Sequence, residues 1–275
     1  MSQHPDTWRK PPFIANPLLR WAVYLGALAY FGWVAATMPI DWARVAQGIE
    51  RAGRIFGGAF PPSFERGGLL IDGFLESLKI AILATVGGVA LSIPIAFMAA
   101  RNVAPLPVFY LGRAIIIIAR SFHPVIVAII FVKAVGFGPF AGVLTLVVYS
   151  IGFVAKMLAE RIEEIDFGQV EAMRAAGAPY LSTLVYAIFP QIMPRQIGLT
   201  IYQLDSNLRA SAVVGIVGAG GIGYELKNAM SWGQGQYDES AAIFLLLFGT
   251  IVTFDQVSSY FRDRLTHGRK QEMLA

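Results

Sequence analysis

Uninterrupted apolar runs divide the chain into long uncharged stretches separated by shorter polar ones. Between Arg20 and Asp41 stands WAVYLGALAYFGWVAATMPI, and between Lys79 and Arg101 stands IAILATVGGVALSIPIAFMAA, neither with a charge inside. A third run extends from near Pro107 to Val132 and a fourth from about Gly138 to Ala155, joined by the turn-forming VGFGPF. A fifth, roughly 196–217, holds Asp205 and Arg209, and a sixth, about 241–261, carries Asp255 near one end. About 20 apolar residues at 1.5 Å rise each cross a hydrocarbon core of roughly 30 Å. The pattern predicts an all-α integral membrane protein with about six transmembrane helices. Pro94 is expected to bend the second span, His123-Pro124 to bend the third, and Gly87-Gly88 to admit a close neighbouring helix.

Composition agrees: 56% of residues are hydrophobic and 15% charged, with a mean hydropathy of +0.58, whereas soluble domains carry about 25% charged residues. Six spans place both termini on one side. Cytoplasmic loops are enriched in Lys and Arg, and with the termini inside the balance is thirteen to six in favour of the cytoplasmic side. The N and C termini are therefore expected in the cytoplasm, although Arg44, Arg51, Arg54 and Arg66 count against it. The segment DWARVAQGIERAGRIFGGAF around them reads as an amphipathic helix on the outer surface.

The absence of cysteine excludes disulfides, thiolate metal sites and cysteine nucleophiles, and His4, His123 and His267 are too scattered for a metal cluster. The polar N-terminal stretch precedes an apolar run longer than a signal-peptide core, so no cleavage is expected. There is no internal repeat. The expected organisation is residues 1–68 as tail, first span and external amphipathic segment, 69–265 as the core membrane domain with a cytoplasmic loop at about 159–194, and 266–275 as a cytoplasmic tail.

Within VVGIVGAGGIGYEL, residues Gly218, Gly220 and Gly223 match the GxGxxG string that cradles a dinucleotide. That fingerprint needs a strand before it and a helix opening at it inside a βαβ unit. Here the preceding residues belong to a membrane span and the following KNAMSWGQGQYDES reads as a loop. The glycines, with Gly221, are assigned to a sharp turn at the outer end of the fifth helix, with a gating role.

The loop AERIEEIDFGQVEAMRAAGAPYLSTLVYAIFPQIMPR has helical character and two expected proline stops, Pro190 and Pro194. Glu171-Ala172, Gly177 six residues after the glutamate, and Pro190 thirteen after the glycine resemble the EAA loop of ABC-importer permeases. Met173 replaces a consensus alanine, and Ala187 and Phe189 replace aliphatic residues. ARSFHPVIVAIIFVKAVGFGPFAGVL and NLRASAVVGIVGAGGIGYEL further resemble segments of the phosphonate ABC-transporter permease, and the likeness covers about residues 70–265. The resemblance implies a type I ABC importer permease fold and a homodimer of this chain. It also implies two ATP-binding subunits docked through Glu171, Ala172, Arg174, Gly177 and Pro190, and an extracytoplasmic phosphonate-binding protein. No GxxxxGK[ST] phosphate loop exists in the chain. It is thus expected to be no enzyme alone and to bind no cofactor or nucleic acid, with ATP and Mg used by the partner.

Charge inside a bilayer demands an explanation, costing at least about 2.5–3.5 kcal/mol. Arg120 and Arg209 either line the substrate pathway with Asn207 and Ser211 and attract an anionic phosphonate group, or, in the case of Arg209, pair with Asp205 four residues earlier. Arg120 could equally snorkel toward headgroups. Two alternatives stay open: an ion-gradient-driven transporter using Asp205 and Asp255, or a permease for another small solute such as an amino acid.

Overall fold

The computed structural model describes residues 14, 16–39, 41–230 and 236–272, with side chains described up to Val257. Among the described residues every regular element is helical. The chain forms two compact units, Met1–Arg54 and Ile55–Ala275.

In the first unit lies α1 (Pro17–Thr37), opened by Asn16, whose side-chain oxygen accepts from the Leu18 N–H at 3.0 Å, and by Pro17, which lacks the donor a first turn cannot use. None of its side chains is buried, and Trp21, Phe31 and Trp33 stand exposed. A helix apolar all round suits lipid on every side. The amphipathic pattern that follows does form a helix, α2 (Trp42–Gly58), capped by Asp41 through the Arg44 N–H at 3.1 Å and running on into the second unit.

The second unit continues with α3 (Gly67–Ala99), α4 (Leu106–Ser121), α5 (Pro124–Val135), α6 (Pro139–Ser150), α7 (Lys156–Glu163), α8 (Phe167–Ala175), α9 (Tyr180–Thr183), α10 (Phe189–Gly215), α11 (Ile222–Ala229) and α12 (Tyr237–Glu272). Two π-helical segments, Ile151–Ala155 and Leu184–Ile188, join α6 to α7 and α9 to α10 without a break. By length and composition α1, α3, the continuous 139–163 helix and 237–257 of α12 can each cross a bilayer, and α4 with α5 adds a fifth where the bent pair is counted as one span.

Several boundaries depart from the pattern-based expectation. The second span starts at Gly67, well before Lys79, because Asp72, Glu76 and Lys79 interrupt the apolar run without interrupting the helix. The third is two helices bent by 92°. Phe122 and His123 take extended conformations ahead of Pro124, as a pre-proline position favours, and His123 Nδ1 accepts from the Val125 N–H at 3.3 Å to open α5. Pro190 and Pro194 do not stop a helix: Pro190 follows closely on the π-helical Leu184–Ile188 turn, and Pro194 lies inside α10. The stretch after the glycines is not all loop, since Ile222–Ala229 is α11. α10, which carries the expected fifth run with Asp205 and Arg209, is not among the described helices that are long and apolar enough to cross a bilayer.

Packing is organised by α3. Gly73, Ser77, Ala81, Ala84, Gly88, Ser92, Ala96 and Ala99 are buried at steps of three and four residues, a stripe of small side chains along one face. Such a stripe lets backbones approach where lipid offers no hydrophobic drive. At Gly88 an added Cβ would run into the Ser150 side chain of α6, and at Gly142 of α6 it would stand 2.5 Å from the Ala219 carbonyl oxygen.

Candidate functional site

The hairpin α8–α9 presents Glu171, Ala172, Arg174 and Gly177 on its exposed face. Asp166 opens α8, its Oδ1 accepting from the Gly168 N–H at 2.9 Å. Gly177 closes it: with φ at 74° it sits in the left-handed region while its own N–H donates to Arg174 O and the Ala178 N–H to Met173 O, both at 3.0 Å. These two bonds are the Schellman pattern, which satisfies carbonyls at a helix end and favours glycine at this position.

The other face of the hairpin is fixed to the bundle. Val170, Ala187, Ile188 and Ile192 are buried in one cluster with Ala96, Ala99, Ile116, Leu158 and Ile162, and Met173 packs against it. The methionine standing for a consensus alanine therefore points inward and leaves the exposed face intact. Gln191 clamps the entry. Its Oε1 accepts from the Asp166 N–H at 2.9 Å, while its Nε2 donates to Asp166 O at 3.2 Å and Ala187 O at 2.7 Å. Pro190 is exposed at the start of α10. Sequence reading did not single out Gln191, because a lone glutamine carries no motif.

The glycine-rich turn lies between α10 and α11. Gly218, Gly220 and Gly221 have φ of 98°, 79° and 73°. Two residues of α3 cap α11 from across the fold: the Gly221 N–H donates to Glu76 Oε1 and the Ile222 N–H to Ser77 Oγ, both at 2.9 Å. The Gly138 N–H donates to Gly218 O at 3.0 Å, stacking this turn on the α5–α6 turn. At Gly223 a Cβ would collide with the Ala212 carbonyl, so α11 and α10 meet backbone to backbone. Nearby, burial first and then the Glu239 and Glu76 charges raise the Glu225 carboxyl above its ordinary range, against a hydrogen bond from Asn228 and the charge of Arg66.

The four proposed pathway residues differ in exposure. Asn207 and Ser211 are wholly buried. Asn207 Nδ2 donates to Thr85 Oγ1 of α3 at 2.9 Å and to Ser150 Oγ of α6 at 3.0 Å, and its Oδ1 accepts from Gln203 at 2.9 Å. Ser211 Oγ donates to Leu208 O at 2.7 Å. In this chain Asn207 therefore ties α10 to α3 and α6, Ser211 bonds back onto its own helix, and neither presents an open surface. Arg209 pairs with Asp205 on the same face of α10, the carboxylate buried and the arginine side chain 40% exposed. Arg120 is exposed at the end of α4, beside the break before α5. The network partners Thr85, Ser150 and Gln203 escaped sequence reading, although hydroxyl and amide side chains inside apolar runs were the available signal.

A bundle of small-residue helices with an exposed, glycine-capped hairpin coincides with a family model. Residues 92–265 match the binding-protein-dependent transport system inner membrane component. The chain belongs to this family. It is thus a multi-pass inner-membrane permease component. It is 40% identical over 213 residues to the phosphate-import permease protein PhnE of Mycolicibacterium smegmatis, a match covering 77% of this chain but 40% of that longer relative. It is 38% identical over 273 residues to the phosphite transport system permease protein PtxC of Stutzerimonas stutzeri, covering 95% of this chain and 98% of the relative. A chain of the MetNI methionine ABC transporter in inward-facing conformations superposes with a TM-score of 0.64 at 23% identity, covering 74% of this chain and 99% of that one. That likeness establishes the type I importer permease fold.

Proposed function

We propose that this permease forms the membrane path of an ATP-driven importer for phosphonates or for phosphite- or phosphate-like oxyanions. Two copies of the chain would assemble with two ATP-binding subunits and receive cargo from an external binding protein. The observation that carries the reading is the exposed Glu171–Gly177 face on a hairpin whose other face is locked into the bundle. Such a part moves with the membrane helices when a partner pushes on it. The cargo class rests on the relatives named for phosphate and phosphite. The Arg209–Asp205 pair supports it over ion coupling, since the carboxylate that a coupling cation would need is already neutralised. ATP and Mg belong to the partner in this reading.

Glu171 and Arg174 supply charged contacts at the rim of the docking surface, and Ala172 keeps it shallow. The turn at Gly218–Gly223, held by Glu76 and Ser77, acts as a constriction whose opening requires those caps to shift together with α3. Co-expression of the chain with the ATPase and binding-protein genes adjacent to it tests the assembly. The expected result is a stable complex whose ATP hydrolysis rises with 2-aminoethylphosphonate-loaded binding protein. A chain that retains no ATPase, or a complex stimulated only by methionine-type cargo, overturns the assembly or the cargo assignment respectively.

A further inference from the structure

The break between α4 and α5 leaves one cation without a partner. Arg120 makes no hydrogen bond or ion pair with any described residue, whereas its neighbours are engaged: Arg113 with Glu163 at 2.7 Å and Lys156 with Glu160 at 3.4 Å. Its stem passes over Gly152 of the π-helical segment, where an added Cβ would stand 2.8 Å from Arg120 Cγ. The missing side chain at 152 is what gives the guanidinium this course. π-helical insertions of this kind recur at functional sites.

The space in front of Arg120 is concave. A cavity of about 380 Å³ is lined by Arg113, Ile116, Ile117, Arg120, Ser121 and Lys156. That volume falls in the range of small-ligand sites, about 300–1,000 Å³. Two of the three cations are matched by one carboxylate each, so the cavity carries one uncompensated positive charge together with spare N–H donors. Ser121 Oγ donates to Ile117 O at 2.7 Å, which leaves its lone pairs to accept from a protonated oxygen. Ile116 forms one wall and also belongs to the buried cluster beneath the α8–α9 hairpin.

We propose that this cavity binds a phosphoryl-bearing anion. Arg120 would hold two of its oxygens with its planar fork, Arg113 and Lys156 would flank it, and the isoleucines would take its apolar substituent. The site shares Ile116 with the cluster that underlies the hairpin, so its occupant would stiffen the ground on which the hairpin rests. The same chemistry can come from a free oxyanion or from a phospholipid headgroup. The proposal shares Arg120 with the import reading but does not need its cargo.

The test uses the purified complex with its ATPase in detergent, with inorganic phosphate titrated by calorimetry and retention of phosphatidylglycerol against phosphatidylcholine followed by native mass spectrometry. The expected result is saturable binding of one probe, weakened at least tenfold in Arg120→Gln, severalfold in Lys156→Gln, and partly restored in Arg120→Lys. Saturable phosphate binding identifies the free oxyanion as the source. Selective retention of phosphatidylglycerol that phosphate does not displace identifies the headgroup. Absence of both, or binding indifferent to Arg120→Gln, overturns the site. Should Arg120→Gln fail to assemble, Lys156→Gln decides in the same way. Neither probe requires the external binding protein, so a failure of phosphonate-stimulated hydrolysis alongside intact phosphate binding would remove the import reading and leave this site standing.

Discussion

At single positions the fold depends on backbones that tolerate no side chain and on polar groups that have only each other. Gly177 ends α8 in the left-handed region, where an alanine costs about 1 kcal/mol. Gly177→Ala is expected to leave the bundle folded and to lower ATPase coupling in the assembled complex, read as loss of cargo-stimulated hydrolysis with basal hydrolysis retained. Gly223→Ala acts differently, because its Cβ meets the Ala212 carbonyl and α10 must move away from α11. Overpacking of this kind costs about 1–3 kcal/mol, visible as earlier unfolding in a denaturant series. Asn207→Leu removes the donor to Thr85 and Ser150 and one of the two acceptors of the Gln203 amide, which keeps only Ser150 Oγ. Leaving buried polar groups unpaired costs about 1–3 kcal/mol, and unchanged unfolding of this variant would show that the network is dispensable.

At the scale of elements, the hairpin and the glycine turn are each held by side chains from distant parts of the chain. Gln191→Ala deletes three bonds to Asp166 and Ala187. Hydrogen exchange at residues 166–168 is expected to rise while that of α3 stays unchanged. At α11 the sign of the pH effect follows from the raised Glu225 carboxyl. The folded state holds the proton more tightly than the unfolded state, so the burial penalty is absent below the ordinary value of 4.5 and grows as pH rises to the raised folded value. Glu225→Gln should therefore stabilise the protein above that window and change little below it. A variant stabilised equally at all pH values would assign the effect to packing and not to charge.

Elements also mark what the sequence could and could not tell. Apolar run length located the membrane helices because hydrocarbon solvation acts on every residue of a span. It misjudged the start of α3, since charges at Glu76 and Lys79 are tolerated where the helix reaches past the apolar layer or finds a donor such as the Gly221 N–H. Pro190 and Pro194 read as stops because a proline's effect depends on the helix geometry around it, here a π-helical turn just before Pro190, which composition does not reveal. The glycine turn was legible as a turn, but its caps Glu76 and Ser77 lie 145 residues away. Such partners are invisible to local pattern. Likewise the partners of Asn207, Thr85 and Ser150, come from other helices and no local pattern names them.

For the whole molecule, membership of the inner membrane component family and the exposed hairpin point to one machine: a permease driven from outside its own chain. The central claim is that ATP, and no ion gradient, powers movement of a phosphonate-type oxyanion through it. Proteoliposomes containing the permease and its ATPase, supplied with binding protein and radiolabelled 2-aminoethylphosphonate, test this directly. The account predicts that uptake requires ATP on the ATPase side and binding protein on the other, survives collapse of proton and sodium gradients, and falls sharply in Gly177→Ala. Uptake that proceeds without ATP and stops when the gradients are collapsed would contradict it.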